Sequence, residues 1–373
     1  MIGALAVTAL CGSGLLRRAE LWFCDELFAR REYVPGDIVI IGIDESDFEQ
    51  FGPYNTWDRS VMASALDALA SDPDNLPAVV AIDTLYGGYT NEEADAKLAE
   101  SAAKLGNVIT ATEAHFGTTR TFGATSVIID DYAILSYEEP YDSLKNVTVQ
   151  GHINAMYDTD GVMRHPTLYI EPEGENGRRV YSMAYEAASA YAKTKGYSIQ
   201  TPPLDSLGRF YVSYTGGPTD FYDGISLNDL INGDVPSSYY AGKLVLIGPY
   251  APGLQDAYFT PIERGEMMYG VEYQANVIQC LLDSNTKRKH LIFSSSEYSS
   301  SCALRSSCSA ITEDFFSRFL CSLSAKSLPS AALSSSTIWV LSRMHFGYHW
   351  DFSFCLLSAS RAITSALLLP SRA

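Results

Sequence analysis

Short, almost uninterrupted apolar runs separated by helix-patterned stretches constrain this chain more than any other feature. DIVIIGIDES from residue 37, PAVVAIDTLYGG from 77 and GKLVLIGPYAPG from 242 each read as a strand buried on both faces and its exit. Such runs belong to a parallel sheet covered on both sides. Between them, DRSVMASALDALAS (58–71) and NEEADAKLAESAAKLG (91–106) read as helices, the second with Asn91 as N-cap and Gly106 at its end. NVITATEAHF supplies a further strand, RVYSMAYEAASAYAKTKG a helix, RFYVSYTG (209–216) a strand and YGVEYQANVIQCLLD a closing helix. The expected fold is α/β, a mostly parallel sheet with helices on both faces. Between 125 and 181 shorter extended pieces surround DTDG (158–161), which predicts a hairpin-rich insertion.

Charge separates this stretch from its flanks. Residues 37–286 carry 36 Asp and Glu against 13 Lys and Arg, whereas the residues after 286 carry 4 against 9. An acidic surface repels phosphates, so nucleic acid is excluded as a partner. The seven cysteines, Cys11, Cys24, Cys280, Cys302, Cys308, Cys321 and Cys355, leave 25–279 empty, so the acidic unit needs no disulfide. No Cys/His spacing fits zinc, and the six histidines are scattered, so neither a metal nor a cofactor is expected. DTDG lacks the downstream ligands of a calcium loop and reads as a tight turn. Gly216, Gly217, Gly248 and Gly253 form no phosphate-binding pattern. Without a nucleophile elbow or a Ser/His/Asp grouping, a hydrolase using strand-end aspartates is the weaker reading, and no catalytic residue is assigned.

The ends differ in kind. Residues 1–16 are apolar but short for a bilayer crossing and are followed by Arg17 and Arg18, which fits a truncated N-terminal membrane helix. Residues 17–36 read as an amphipathic linker helix with Leu21, Cys24, Leu27 and Phe28 on one face. After 286 the chain holds 23 Ser yet many Leu, Phe and Trp, which Ser-rich disordered linkers avoid. Low-complexity disorder is one reading of 287–373; the favoured one is a membrane-helix region translated out of frame, because U-rich apolar codons read out of register yield Ser, Cys, Leu and Phe.

Four blocks within 37–286 resemble the type-two CHASE domain, a sensory module of bacterial cyclases, histidine kinases and Ser/Thr kinases. VIIGIDESDFEQFGPYNTWDRSVMASALDAL is similar to its opening block through Asp44, Ser46, Gly52, Trp57 and Arg59, and VVAIDTLY to its second strand through Asp83. GHINAMYDTDGVMRHPTLYI resembles its hairpin at Asn154, Asp158, Asp160, Gly161 and Arg164. The closing block falls on Gly242, Lys243, Gly248, Asp256, Thr260, Pro261, Gly270, Glu272 and Asn276. The resemblance implies an extracytoplasmic sensor at the cell membrane whose effector, an adenylate or guanylate cyclase, is missing here. A histidine or Ser/Thr kinase effector, or a membrane-anchored solute-binding protein, is the alternative.

Ligands of open parallel sheets bind beyond the carboxyl ends of the strands. Asp44, Glu45, Asp83 and Glu113 fall at or near such ends, and Asp256 follows another. The expected ligand-binding residues are Asp44, Glu45, Asp83, Asp256 and Arg59, an anionic pocket for a cation, amine or hydroxylated ligand. The competing reading makes Asp44 and Asp83 loop anchors, pairs Arg59 and Arg164 with aspartates of the family blocks, and gives Trp57 to packing. The partners expected are an unknown small ligand and the membrane, with a homodimer left open.

Overall fold

In a computed structural model the chain is described at residues 21, 22, 25, 33–122, 127–171, 179–205 and 207–284. The expected membrane helix at 1–16, most of the amphipathic stretch 17–36 and the tail 287–373 lie outside the described residues.

The strands, in chain order, are β1 (Ile38–Ile43), β2 (Val79–Ile82), β3 (Val108–Phe122), β4 (Val127–Glu138), β5 (Val149–His152), β6 (Tyr169–Ile170), β7 (Val180–Tyr181), β8 (Ile225–Ser226), β9 (Leu244–Pro249), β10 (Ala257–Tyr258) and β11 (Met268–Tyr269). The helices are α1 (Glu45–Phe51), α2 (Ser60–Leu69), α3 (Glu92–Leu105), α4 (Asp142–Lys145), α5 (Met183–Thr194), α6 (Leu227–Asn232) and α7 (Gly270–Leu282).

The main sheet runs β5–β3–β2–β9–β1–β8, all parallel, and β4 lies antiparallel on the outer half of β3. The fold is α/β. Every residue of β1 is buried because the two faces of the strand enter two cores. Ile38 and Ile40 pack with α5 and α7, while Val39, Ile41 and Ile43 pack with α2, α3 and α6. Each such isoleucine contributes about 1.5–3 kcal/mol by leaving water. That two-sided burial is why the run lacks the alternation of a half-exposed strand.

Local signals place the helices. Asn91 accepts from the Glu93 and Ala94 amides at 3.0 and 3.3 Å, and Gly106 ends α3 in the left-handed region. Asp44 caps α1 in a reciprocal box with Asp47. The insertion supplies β4, which pairs with the outer half of β3 from Glu113 with Glu138 out to Phe122 with Val127, and the small β6–β7 pair. DTDG is a tight turn, with Gly161 at φ +80° and its amide donating to Asp158 O at 2.9 Å. The runs beside it do not continue as a hairpin, since β5 instead joins β3 in parallel.

One element differs from its sequence reading. Residues 209–216 form no named strand, although the start of the run pairs with 164–168: Arg209 bridges Thr167, and the Phe210 and Val212 amides donate to Pro166 O and Arg164 O at 3.2 and 3.1 Å. The apolar pattern there comes from core packing, with Phe210, Val212 and Tyr214 buried beside α5 and α7. Asn276 on α7 does the work of a neighbouring strand, its Oδ1 accepting from the Thr215 and Gly216 amides at 2.9 and 3.0 Å.

Candidate functional site

Chain order reverses at the middle of the sheet. The chain leaves β1, passes to β2 and moves outward to β3 and β5, then returns to β8 and inserts β9 between β1 and β2. The carboxyl ends of β1, β9 and β2 therefore lie side by side at a topological switch point, where connections diverge and leave a crevice. Asp44 follows β1, Tyr250 follows β9 and donates its amide to Ile43 O at 2.9 Å, and Asp83 follows β2 with its amide on Ile247 O at 2.7 Å.

Asp83 and Asp256 are brought together. Asp83 is 6% exposed, and burial followed by the facing Asp256 carboxylate raises its pKa well above the usual carboxylate range. Burial raises Asp256 as well, and a hydrogen bond from the Tyr258 hydroxyl opposes that rise. No ion pair to Lys or Arg is present at either aspartate among the described residues. Two buried carboxylates that repel each other do not both ionise at pH values where exposed ones do. The approach requires glycines: a Cβ on Gly270 would collide with the Asp256 carboxylate, and one on Gly248 would stand 3.0 Å from Asp83 Cβ. Tyr54 and Tyr157 border the pair, and each has its pKa raised by burial and by the neighbouring aspartate.

Asp44 and Glu45 occupy the same edge, with β9 between β1 and β2. Asp44 Oδ1 accepts from the Ser46 amide and hydroxyl at 2.8 and 2.6 Å, and Oδ2 from the Tyr222 hydroxyl at 3.1 Å. It anchors the loop while remaining partly exposed. Glu45 is exposed and faces Tyr269. Tyr222, Tyr250 and Tyr269 stack in series, with ring centroids 3.8 and 4.4 Å apart. Behind them Glu272 is wholly buried, and among the described residues neither carboxylate oxygen has a hydrogen-bond partner of good geometry. Burial pushes its pKa up to about 7, against the pull of the Thr219 and Tyr269 amides and the Tyr250 hydroxyl.

Arg59 has bonding partners of its own. Its Nη1 is 2.6 Å from Asp95 Oδ1, its Nη2 donates to the Gly87 and Gly88 carbonyls at 3.0 and 2.8 Å, and Tyr141 stacks beneath it at 4.4 Å. These bonds tie α2 to the β2–α3 loop and to α3, and the guanidinium also lies over the Tyr86 ring at 5.7 Å. Glu113 stands at the root of the β3–β4 ribbon opposite Glu138. Trp57 packs edge-on against Phe48, Phe51 and Tyr54, with its indole N–H on Gly52 O at 2.7 Å. Arg164 is fully buried in an ion cluster with Asp25, Asp158 and Asp160. A separate open groove of about 530 Å³ runs along the start of α3, lined by Tyr89, Asn91, Glu92 and Ser143. Among the described residues no three His, Cys, Asp or Glu side chains converge to hold a metal ion.

Sequence reasoning passed over Asp47, Tyr222, Tyr250 and Tyr258. Asp47 is wholly buried and accepts from the Asp44 and Asn228 amides at 2.9 and 2.7 Å, while burial raises its pKa to about 6. Its place three residues after Asp44, the capping-box spacing, was the signal available. The tyrosines carry no such signal, since only the tertiary fold puts the Tyr222 hydroxyl on Asp44, the Tyr258 hydroxyl on Asp256 and the Tyr250 hydroxyl beside Glu272.

No curated protein and no solved structure matches the chain. The profile of the CHASE2 domain family matches residues 2–304. CHASE2 domains are extracellular sensor modules of signalling proteins and are not catalytic. Among the described residues no helix is long and apolar enough to cross a membrane. With its four sequence blocks gathered around one α/β sheet and the family profile spanning most of its length, this chain belongs to the CHASE2 domain family.

Proposed function

We propose that the chain senses a small cationic or hydroxylated ligand, a protonated amine best of all, at the carboxyl edge of β2, β9 and β1. The observation that carries this reading is the Asp83–Asp256 pair, buried at a topological switch point and bordered by Tyr54, Tyr157 and Tyr258. An ammonium group displaces the retained proton, supplies the missing positive charge and is attracted to tyrosine faces. Asp44 and Glu45 extend the same anionic edge. The competing reading, in which the aspartates are loop anchors, is favoured only at Asp44, whose oxygens already have three donors.

A thermal-shift screen of the full chain with choline, putrescine, calcium, magnesium and glycerol tests the site. The expected result is a ligand-induced rise in midpoint for the parent protein that is lost in both Asp83→Asn and Asp256→Asn. Folded variants that keep the parent shift would sink the reading.

We assign the sensor to a membrane-anchored protein whose effector is an adenylate or guanylate cyclase, with a histidine or Ser/Thr kinase as the alternative. What supports this is the company such sensors keep, together with the reading of residues 287–373 as a membrane-helix region out of frame. Resequencing beyond the codon for residue 286 tests it. A restored frame encoding long apolar runs and a cyclase domain is expected; an uninterrupted frame with peptides detected from 302 to 355 removes it.

A further inference from the structure

The Arg164 guanidinium is 0% exposed and uses every donor it has. Nε and Nη2 hold Asp25 in a two-pronged bond at 2.6 and 2.8 Å, Nη1 reaches Asp158 at 3.1 Å, and Nη1 and Nη2 reach Asp160 at 2.8 and 2.9 Å. Five N–H groups make five bonds, so nothing is left over for a ligand. Asp25 belongs to the N-terminal segment, is 3% exposed, and is also paired with Arg264 from the loop before β11.

From this cluster a short packed route leads to the acid pair. Val162 bridges to Phe259, and the Met163 amide donates to Phe259 O at 2.9 Å. The Tyr157 ring meets the Tyr258 ring edge-on at 5.7 Å. Tyr258 bonds Asp256, and the Gly270 amide donates to Asp256 O at 3.0 Å. Residues 157–164 thus touch the N-terminal segment through Arg164 and the candidate site through β10.

We propose that the Arg164 cluster is a latch through which occupancy of the strand-end site is passed to the N-terminal segment bearing Asp25. The proposal rests on the strand-end reading above. Releasing Asp25 leaves Nε and one Nη2 hydrogen of the buried guanidinium without acceptors while Asp158 and Asp160 keep theirs, so the two-pronged Asp25 bond is either made in full or lost, and the latch has two states. A ligand that moves Asp256 and Tyr258 shifts β10, and β10 moves residues 157–164 with it. The N-terminal segment then receives an on-or-off signal. Coupling between two sites is reciprocal, which makes the latch testable without any ligand.

Hydrogen exchange on the full chain, followed by mass spectrometry, compares the parent with Asp25→Asn, Arg264→Gln and Asp256→Asn. Loss of the Asp25 charge is expected to speed exchange about fivefold or more at 157–164, at 257–259 and at the Asp83 amide, while α2 and α3 stay at the parent rate. Arg264→Gln removes only the half-exposed arm of the cluster and keeps the fold safe; it gives the same pattern at smaller amplitude. Asp256→Asn, acting from the other end, alters exchange in the peptide containing Asp25. Changes confined to 157–164, or acceleration spread evenly over α2 and α3 in both latch variants, overturn the proposal. The ligand screen fails or succeeds separately: a lost thermal shift with no transmitted exchange change disproves the latch alone, and the reverse disproves the site alone.

Discussion

Replacing Glu272 by Gln isolates the electrostatic cost of this fold. Glu272 is wholly buried and titrates near 7 in the folded chain, against 4.5 when free. A carboxyl whose folded pKa is raised favours the fold while both states hold the proton, and that advantage is lost as pH climbs from 4.5 through 7. At about 1.36 kcal/mol per pH unit, ionised Glu272 weakens the fold by roughly 2–3 kcal/mol more at pH 8 than at pH 5. Gln cannot ionise, although its second amide hydrogen lacks an acceptor and costs about 1–3 kcal/mol at either pH. The absolute stability of the variant is therefore less informative than its pH profile. Urea unfolding of both proteins at pH 5, 6, 7 and 8 should show the variant gaining about 2–3 kcal/mol on the parent across the range, roughly 4–12 °C in Tm for a domain of this size. A difference that stays flat with pH would refute the argument that Glu272 is buried without a charged partner.

Asp83→Asn and Asp256→Asn should each raise the urea midpoint at pH 8, and the double variant should gain less than the sum, because either change relieves the same repulsion. Arg164→Lys replaces five directed donors by three and should cost roughly 3–5 kcal/mol, read as a fall in the unfolding free energy. Asn276→Leu leaves the Thr215 and Gly216 amides unpaired and should cost about 1–3 kcal/mol for each, with faster exchange at those two amides.

The layers of the fold were legible because two-sided burial leaves a plain mark. VIIGI, VVAI and LVLIG are apolar throughout since both faces of each strand enter a core, and Asn91 and Gly106 bound α3 by local chemistry. The order of the strands was not legible. Nothing local in GKLVLIGP says that it inserts between β1 and β2, yet that insertion brings Asp83 to Asp256. Residues 209–216 read as a strand, and their first half does pair with 164–168 through the Phe210 and Val212 amides; the second half instead gives its Thr215 and Gly216 amides to the Asn276 side chain, 60 residues beyond Gly216. The partner of Arg59 was not legible either, since Asp95 is 36 residues away and carries no mark of its role. Asp25 was hidden for the same reason, since its pairing with Arg164 spans 139 residues.

The central claim is that Asp83 and Asp256 hold a proton which a cationic ligand displaces. Calorimetric titration of the full chain with putrescine and choline at pH 6, in two buffers of different ionisation heat, counts the protons released on binding. Release approaching one proton per site is expected in the parent protein and none in Asp83→Asn, with affinity at least about tenfold weaker, a loss of about 1.4 kcal/mol. Binding without proton release and with equal affinity in the variant would contradict that claim.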